Sequence, residues 1–117
     1  MKYKLLLAIM VLLATGSSPM TGRSAAEQTI SITAERFSFE PNEITLKKGQ
    51  QVTLEIRTKD VSHGLLIEDL GVRADIKKGQ TNEVTFTPES VGTFEGKCAH
   101  FCGSGHGSMK MVVHVTE

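Results

Sequence analysis

The 117-residue chain has no excess of either charge, with 13 basic and 13 acidic side chains. That balance gives no support to nucleic-acid binding, which expects a clustered basic face, and that class of function is set aside. No apolar run approaches the ~20 residues a transmembrane helix requires. The longest, Leu5 to Ala14, is ten residues, and no cysteine follows it that a lipid anchor could use. Two cysteines allow one intramolecular disulfide at most, and three prolines and a single tyrosine leave the remaining chemistry to a few residue types. A helical period of useful length is also missing, which excludes a helix bundle.

What is present begins with an address. Met1 to Lys4 is basic, Leu5 to Ala14 is apolar, and a small-polar stretch ends in Ser24-Ala25-Ala26. This is the layout of an export signal, so residues 1–26 are expected to be a signal peptide and residues 27–117 one domain, periplasmic or otherwise exported. The competing reading, an uncleaved anchor, needs a longer apolar run. Losing Lys2, Lys4 and Arg23 leaves 10 basic against 13 acidic side chains, a mildly acidic domain with no transmembrane span. A domain of this size buries one modest core.

Within 27–117 the hydrophobic period is two. Thr29 to Ala34 alternates, Phe37 and Phe39 continue the pattern, and Glu43 to Leu46 resumes it after Pro41-Asn42. Gln51 to Thr58 is the clearest strand, with Val52, Leu54 and Ile56 expected to face the core. Leu65 to Ile67, a short strand within Leu70 to Ile76, Glu83 to Thr87, Gly92 to Cys98 and Met109 to Val115 follow. Lys47-Lys48-Gly49-Gln50 recurs as Lys77-Lys78-Gly79-Gln80. The flanks do not repeat, so the same turn chemistry used twice explains it better than duplication. About seven or eight short strands with turn signals between them predict an all-β Greek-key sandwich.

The chemistry gathers in one loop, Cys98-Ala99-His100-Phe101-Cys102-Gly103-Ser104-Gly105-His106-Gly107-Ser108-Met109. Thiolate and thioether sulfur favour copper, imidazole suits copper, zinc or iron, and a weak axial Met marks electron-transfer copper. Three residues between Cys98 and Cys102 span at most roughly 13 Å extended, so both sulfurs can reach one site. The glycines let the backbone turn His106 and Met109 toward the same point. His63, in Asp60-Val61-Ser62-His63-Gly64, is the strong upstream candidate for a further ligand. In an oxidising compartment a Cys98–Cys102 disulfide is the plain alternative, and a closed zinc site of Cys98, Cys102, His63 and His106 is another. Neither gives Met109 a role.

The loop resembles the dinuclear copper loop of CuA domains, found in subunit II of cytochrome c oxidases and in nitrous oxide reductases. The pattern there is Cys-x3-Cys-x3-His-x2-Met with a histidine far upstream, matched here at Cys98, Cys102, His106, Met109 and His63. The upstream run from Asp60 to Gly79 and the approach Gly92 to Lys97 are similar as well, so the likeness covers roughly Phe37 to Glu117. It implies a cupredoxin fold and two copper ions per chain, bridged by the thiolates of Cys98 and Cys102. His63 and His106 would be terminal ligands, and Met109 and the backbone carbonyl of His100 weak axial donors. His100 stands where subunit II proteins usually carry glutamate, which leaves the carbonyl available but puts that side chain's contact with a catalytic subunit in doubt. Its imidazole as a third ring ligand is a further alternative. His114 lies outside the motif and is assigned to structure or surface.

The absent tryptophan removes the aromatic patch that subunit II proteins use for cytochrome c entry. With no pair of transmembrane helices either, these departures point to a free-standing relative of subunit II, expected to be a monomeric electron carrier, and nothing in the site binds and transforms a substrate as an enzyme would. Its donor and acceptor would be redox proteins, cytochrome c or a copper-delivery protein among the candidates. Two alternatives use the same residues: a copper-handling protein that takes up or delivers Cu(I), and a mononuclear blue-copper carrier built from His63, Cys102, His106 and Met109.

Overall fold

A computed structural model of the chain describes residues 27–117. The expected signal peptide, residues 1–26, lies outside the described residues. Among the described residues nine strands form: β1 (Gln28–Glu35), β2 (Ser38–Glu40), β3 (Glu43–Lys47), β4 (Val52–Thr58), β5 (His63–Ile67), β6 (Val72–Ile76), β7 (Asn82–Phe86), β8 (Gly92–Lys97) and β9 (Lys110–Thr116). They make a four-stranded sheet ordered β2-β1-β4-β7 and a five-stranded sheet ordered β3-β9-β8-β5-β6. Among the described residues, no helix is long and apolar enough to cross a membrane.

The expected β-sandwich is found with one strand more than the seven or eight predicted. The addition is β2, which folds back on the end of β1 and pairs Ala34 with Phe39. Its three residues are too few for periodicity to separate it from its neighbours. Val52, Leu54 and Ile56 are buried, as alternation requires, and meet Ile32, Phe39, Leu46, Leu65, Ile67, Met111, Val113 and Val115 between the sheets. Two pairings are parallel, β1 with β4 and β3 with β9; the others are antiparallel.

The repeated Lys-Lys-Gly-Gln turns fold alike. Gln50 N donates to Lys47 O at 3.2 Å and Gln80 N to Lys77 O at 3.3 Å. Gly49 and Gly79 take φ of 79° and 80°, left-handed values that a side chain would strain. Leu70 closes a 3-10 turn, Glu68–Leu70, before β6 starts.

Strand order places the functional segments. β8 lies between β9 and β5, so the β8–β9 loop emerges beside the start of β5, where His63 sits. The β1–β2 turn reaches the same end: Arg36 contacts both the β4–β5 connection and the β8–β9 loop.

Candidate metal centre

The β8–β9 loop is closed at its base like a hairpin, with Cys98 N donating to Met109 O at 3.1 Å. Inside it, His106 N bonds Gly103 O at 3.1 Å and Ser108 N bonds Gly105 O at 3.0 Å, winding His106–Ser108 into a 3-10 turn. Ala99 N reaches Gly64 O at 3.2 Å, tying the loop to β5. A rigid sandwich thereby carries a loop whose backbone is already pinned, as positioned ligands require.

Four donors line up through space. His63 Nδ1 lies 3.9 Å from Cys98 Sγ, Cys98 Sγ lies 3.7 Å from Cys102 Sγ, and Cys102 Sγ lies 3.9 Å from His106 Nδ1. Each sulfur also has one weaker neighbour: the His100 carbonyl oxygen is 3.0 Å from Cys98 Sγ, and Met109 Sδ is 3.8 Å from Cys102 Sγ. Both cysteines are free thiols. Cys98, Cys102, His63 and Met109 are buried and His106 half-buried. The donor atoms of His63, Cys98 and Cys102 lie within 4.8 Å of one another, a separation one metal site can span. The His100 side chain is exposed and only its carbonyl turns inward. His114 is remote from this group, paired with Glu43 and Thr93 on the β3–β9–β8 surface.

Electrostatics separate the two ends. Burial pushes the Cys102 thiol up to about 11, and its neighbour Cys98 adds to the rise. At Asp60 burial again opposes charge, but hydrogen bonds from Arg36 N, His63, Val61 N and Thr58 outweigh it and hold the carboxyl well below the usual carboxylate range. Asp60 thus stays ionised beside His63 Nε2, 2.9 Å away. A proton on Nε2 donated to that carboxylate leaves Nδ1 free toward Cys98, the arrangement that fixes the tautomer of a ligating imidazole.

The loop signature and His63 were readable from the sequence; their supports were not. Asp60 has a weak signal, an acidic residue three positions before a candidate ligand. Arg36 and Phe37 have none. Arg36 Nε donates to Cys102 O at 3.0 Å, and the Phe37 ring packs so closely that a Cβ at Gly105 would sit 2.4 Å from Phe37 Cδ2. Phe101, 74% exposed, lies over His106 with ring centroids 5.7 Å apart.

Cytochrome c oxidase subunit 2 of Thermus thermophilus is 28% identical over 91 residues, covering 78% of this chain and 67% of that protein. Nitrous-oxide reductase of Cupriavidus necator is 33% identical over 92 residues, covering 75% of this chain but 14% of the reductase. Among solved structures, the periplasmic domain of subunit II of cytochrome oxidase from Bradyrhizobium japonicum superposes with a TM-score of 0.70 at 22% identity, covering 77% of this chain and 84% of that one. Residues 5–113 match the family described as Cupredoxin-like domain. With a two-sheet sandwich and a sulfur–imidazole cluster at one end of it, the chain belongs to the cupredoxin-like family.

Proposed function

We propose that this cupredoxin-like domain is an exported, monomeric electron carrier with a dinuclear CuA-type centre, residues 1–26 being removed as its signal peptide. Its partners are then a redox-protein donor and acceptor in the periplasm or an equivalent compartment. The observation that carries the reading is that each imidazole Nδ1 faces a different sulfur of a pair 3.7 Å apart. A single four-ligand site would have both rings converge on one point, whereas this arrangement has two ends. His63, Cys98 and the His100 carbonyl make one end; His106, Cys102 and Met109 make the other.

The residues present fit copper by their chemistry. Two thiols, a buried thioether and two imidazoles form a soft set in which Met109 has a place that a closed zinc site would not give it. Copper held by these residues would supply one-electron redox chemistry.

The protein's own part is to hold the donors still. Cys98 and Cys102 are fixed at the start and middle of a pinned loop, His63 by Asp60, and Met109 by its place just before β9. A donor set that does not move between oxidation states keeps the reorganisation barrier low. The cysteines, His63 and Met109 are shielded from water, and His106 is half-buried, which makes its edge the natural route for electrons to a docked partner. The direct test is to load the purified chain with copper, measure copper per chain and record the electron spin resonance spectrum of the oxidised form. Two ions with the spin divided over two nuclei are expected; one ion with the spin confined to it would replace this reading with the blue-copper one.

A further inference from the structure

Arg36 hydrogen-bonds toward both ends of the site, directly at Cys102 and through Asp60 at His63. Its backbone N–H donates to Asp60 Oδ2 at 2.8 Å, while Asp60 Oδ1 holds His63 Nε2 at 2.9 Å. Its side chain crosses to the other end, where Nε donates to Cys102 O at 3.0 Å. The next residue, Phe37, lies against Gly103 and Gly105 in the same loop. The β1–β2 turn is therefore a strap across the metal loop, anchored on the opposite sheet.

We infer that Arg36 is a positioning residue of the copper centre, which locks the Cys102 end against the His63 end and whose positive charge raises the centre's reduction potential. The inference rests on the copper reading above. The physical reason is the sign of the charge change: reduction adds an electron beside the guanidinium, and a nearby cation favours the more negative state. The guanidinium stands at the Cys102 end, its Nε 3.0 Å from Cys102 O. Asp60 carries the opposite charge, but it meets Arg36 through the backbone, so replacing the Arg36 side chain leaves that N–H bond in place and removes the cation together with the Nε bond to Cys102 O. Because Arg36 is exposed, its influence is screened by salt, as that of a buried structural group would not be.

The test compares Arg36→Met, which removes charge and hydrogen bond, with Arg36→Lys, which keeps the charge; Arg36→Gln replaces the Met variant should that fail to fold. In copper-loaded protein at low salt and a fixed ambient potential, the Met variant is expected to shift the reduced-to-oxidised ratio about three- to tenfold toward oxidised, tenfold being about 59 mV for one electron. The Lys variant should stay within about twofold of the parent, and the Met variant's gap should narrow as salt rises. A Met variant at the parent ratio, or a Lys variant that falls equally far, overturns the charge role. Copper-free protein tests the positioning role by itself: amide exchange across residues 103–109 should quicken about five- to tenfold in the Met variant, and an unchanged rate overturns it. A parent chain that takes up no copper would defeat the copper reading while leaving the exchange result to stand or fall separately.

Discussion

Asp60 Oδ1 and His63 Nε2 lie 2.9 Å apart, and the ring's other nitrogen faces Cys98 Sγ at 3.9 Å. The carboxylate is itself fixed by Arg36 N and Val61 N at 2.8 and 2.6 Å, so His63 has little freedom to rotate. Asp60→Ala removes the acceptor and is expected to weaken copper affinity by about 10- to 100-fold, the usual cost of losing such a partner. Asp60→Asn keeps an acceptor oxygen without the charge and should fall between. Competition against a chelator of known affinity measures both; parental affinity in the Ala variant would show that His63 is held by packing alone.

The strap makes a steric prediction. A methyl at Gly105 would meet Phe37 Cγ and Cδ2 at about 2.5 and 2.4 Å, distances no packed core tolerates, so the ring or the loop must give way. Gly105→Ala should cost about 1–3 kcal/mol of unfolding free energy, the usual range for overpacking. The urea midpoint of copper-free protein reads this out. Shortening the ring in the double variant Phe37→Leu, Gly105→Ala should recover part of the loss, since the two residues contact directly and their effects are not additive. Equal losses in the single and double variants would mean that the contact is not where the strain lies.

These supports also mark how far the sequence could be read. Alternation at Val52, Leu54 and Ile56 gives a strand and its buried face because the period is local, and the spacing of Cys98, Cys102, His106 and Met109 gives a site because a short loop can only curl. β2 escaped the expected strand count because it is three residues long and defined by its pairing with β1. Arg36 and Cys102 are 66 positions apart; no pattern along the chain brings them together, and an arginine in a turn looks like any solvated residue. His63 stands between these cases, a loop histidine by composition, singled out by resemblance, and buried in the fold to 2% exposure at the head of β5.

A pH prediction follows from Cys102. Burial, then Cys98, raise the folded-state value from the ordinary 9.0 to about 11. Between those limits the unfolded chain has lost the thiol proton that the folded chain keeps, so folding carries an extra bound proton and stability falls as pH rises. Copper-free protein should thus lose stability from pH 9 toward 11, and Cys102→Ser should flatten that slope. Denaturant midpoints at pH 7, 9 and 10.5 check it; the same slope in the Ser variant would place the titrating group elsewhere.

The two sulfurs should be unequal in one reading and equivalent in the other. In a blue-copper site of His63, Cys102, His106 and Met109, Cys98 is a bystander, and Cys98→Ser would keep one copper and an intense charge-transfer colour. In a bridged pair each thiolate contacts both ions, so Cys98→Ser and Cys102→Ser should both abolish the two-copper spectrum. The distances favour the second outcome: Cys98 Sγ stands between His63 Nδ1 and Cys102 Sγ, at 3.9 and 3.7 Å, so any metal reaching from His63 toward Cys102 passes it. Removing a soft donor from that path leaves His63 facing a hydroxyl, a poor partner for copper. Copper content and the visible spectrum of the two serine variants, compared side by side, decide between a shared pair of ions and a single one.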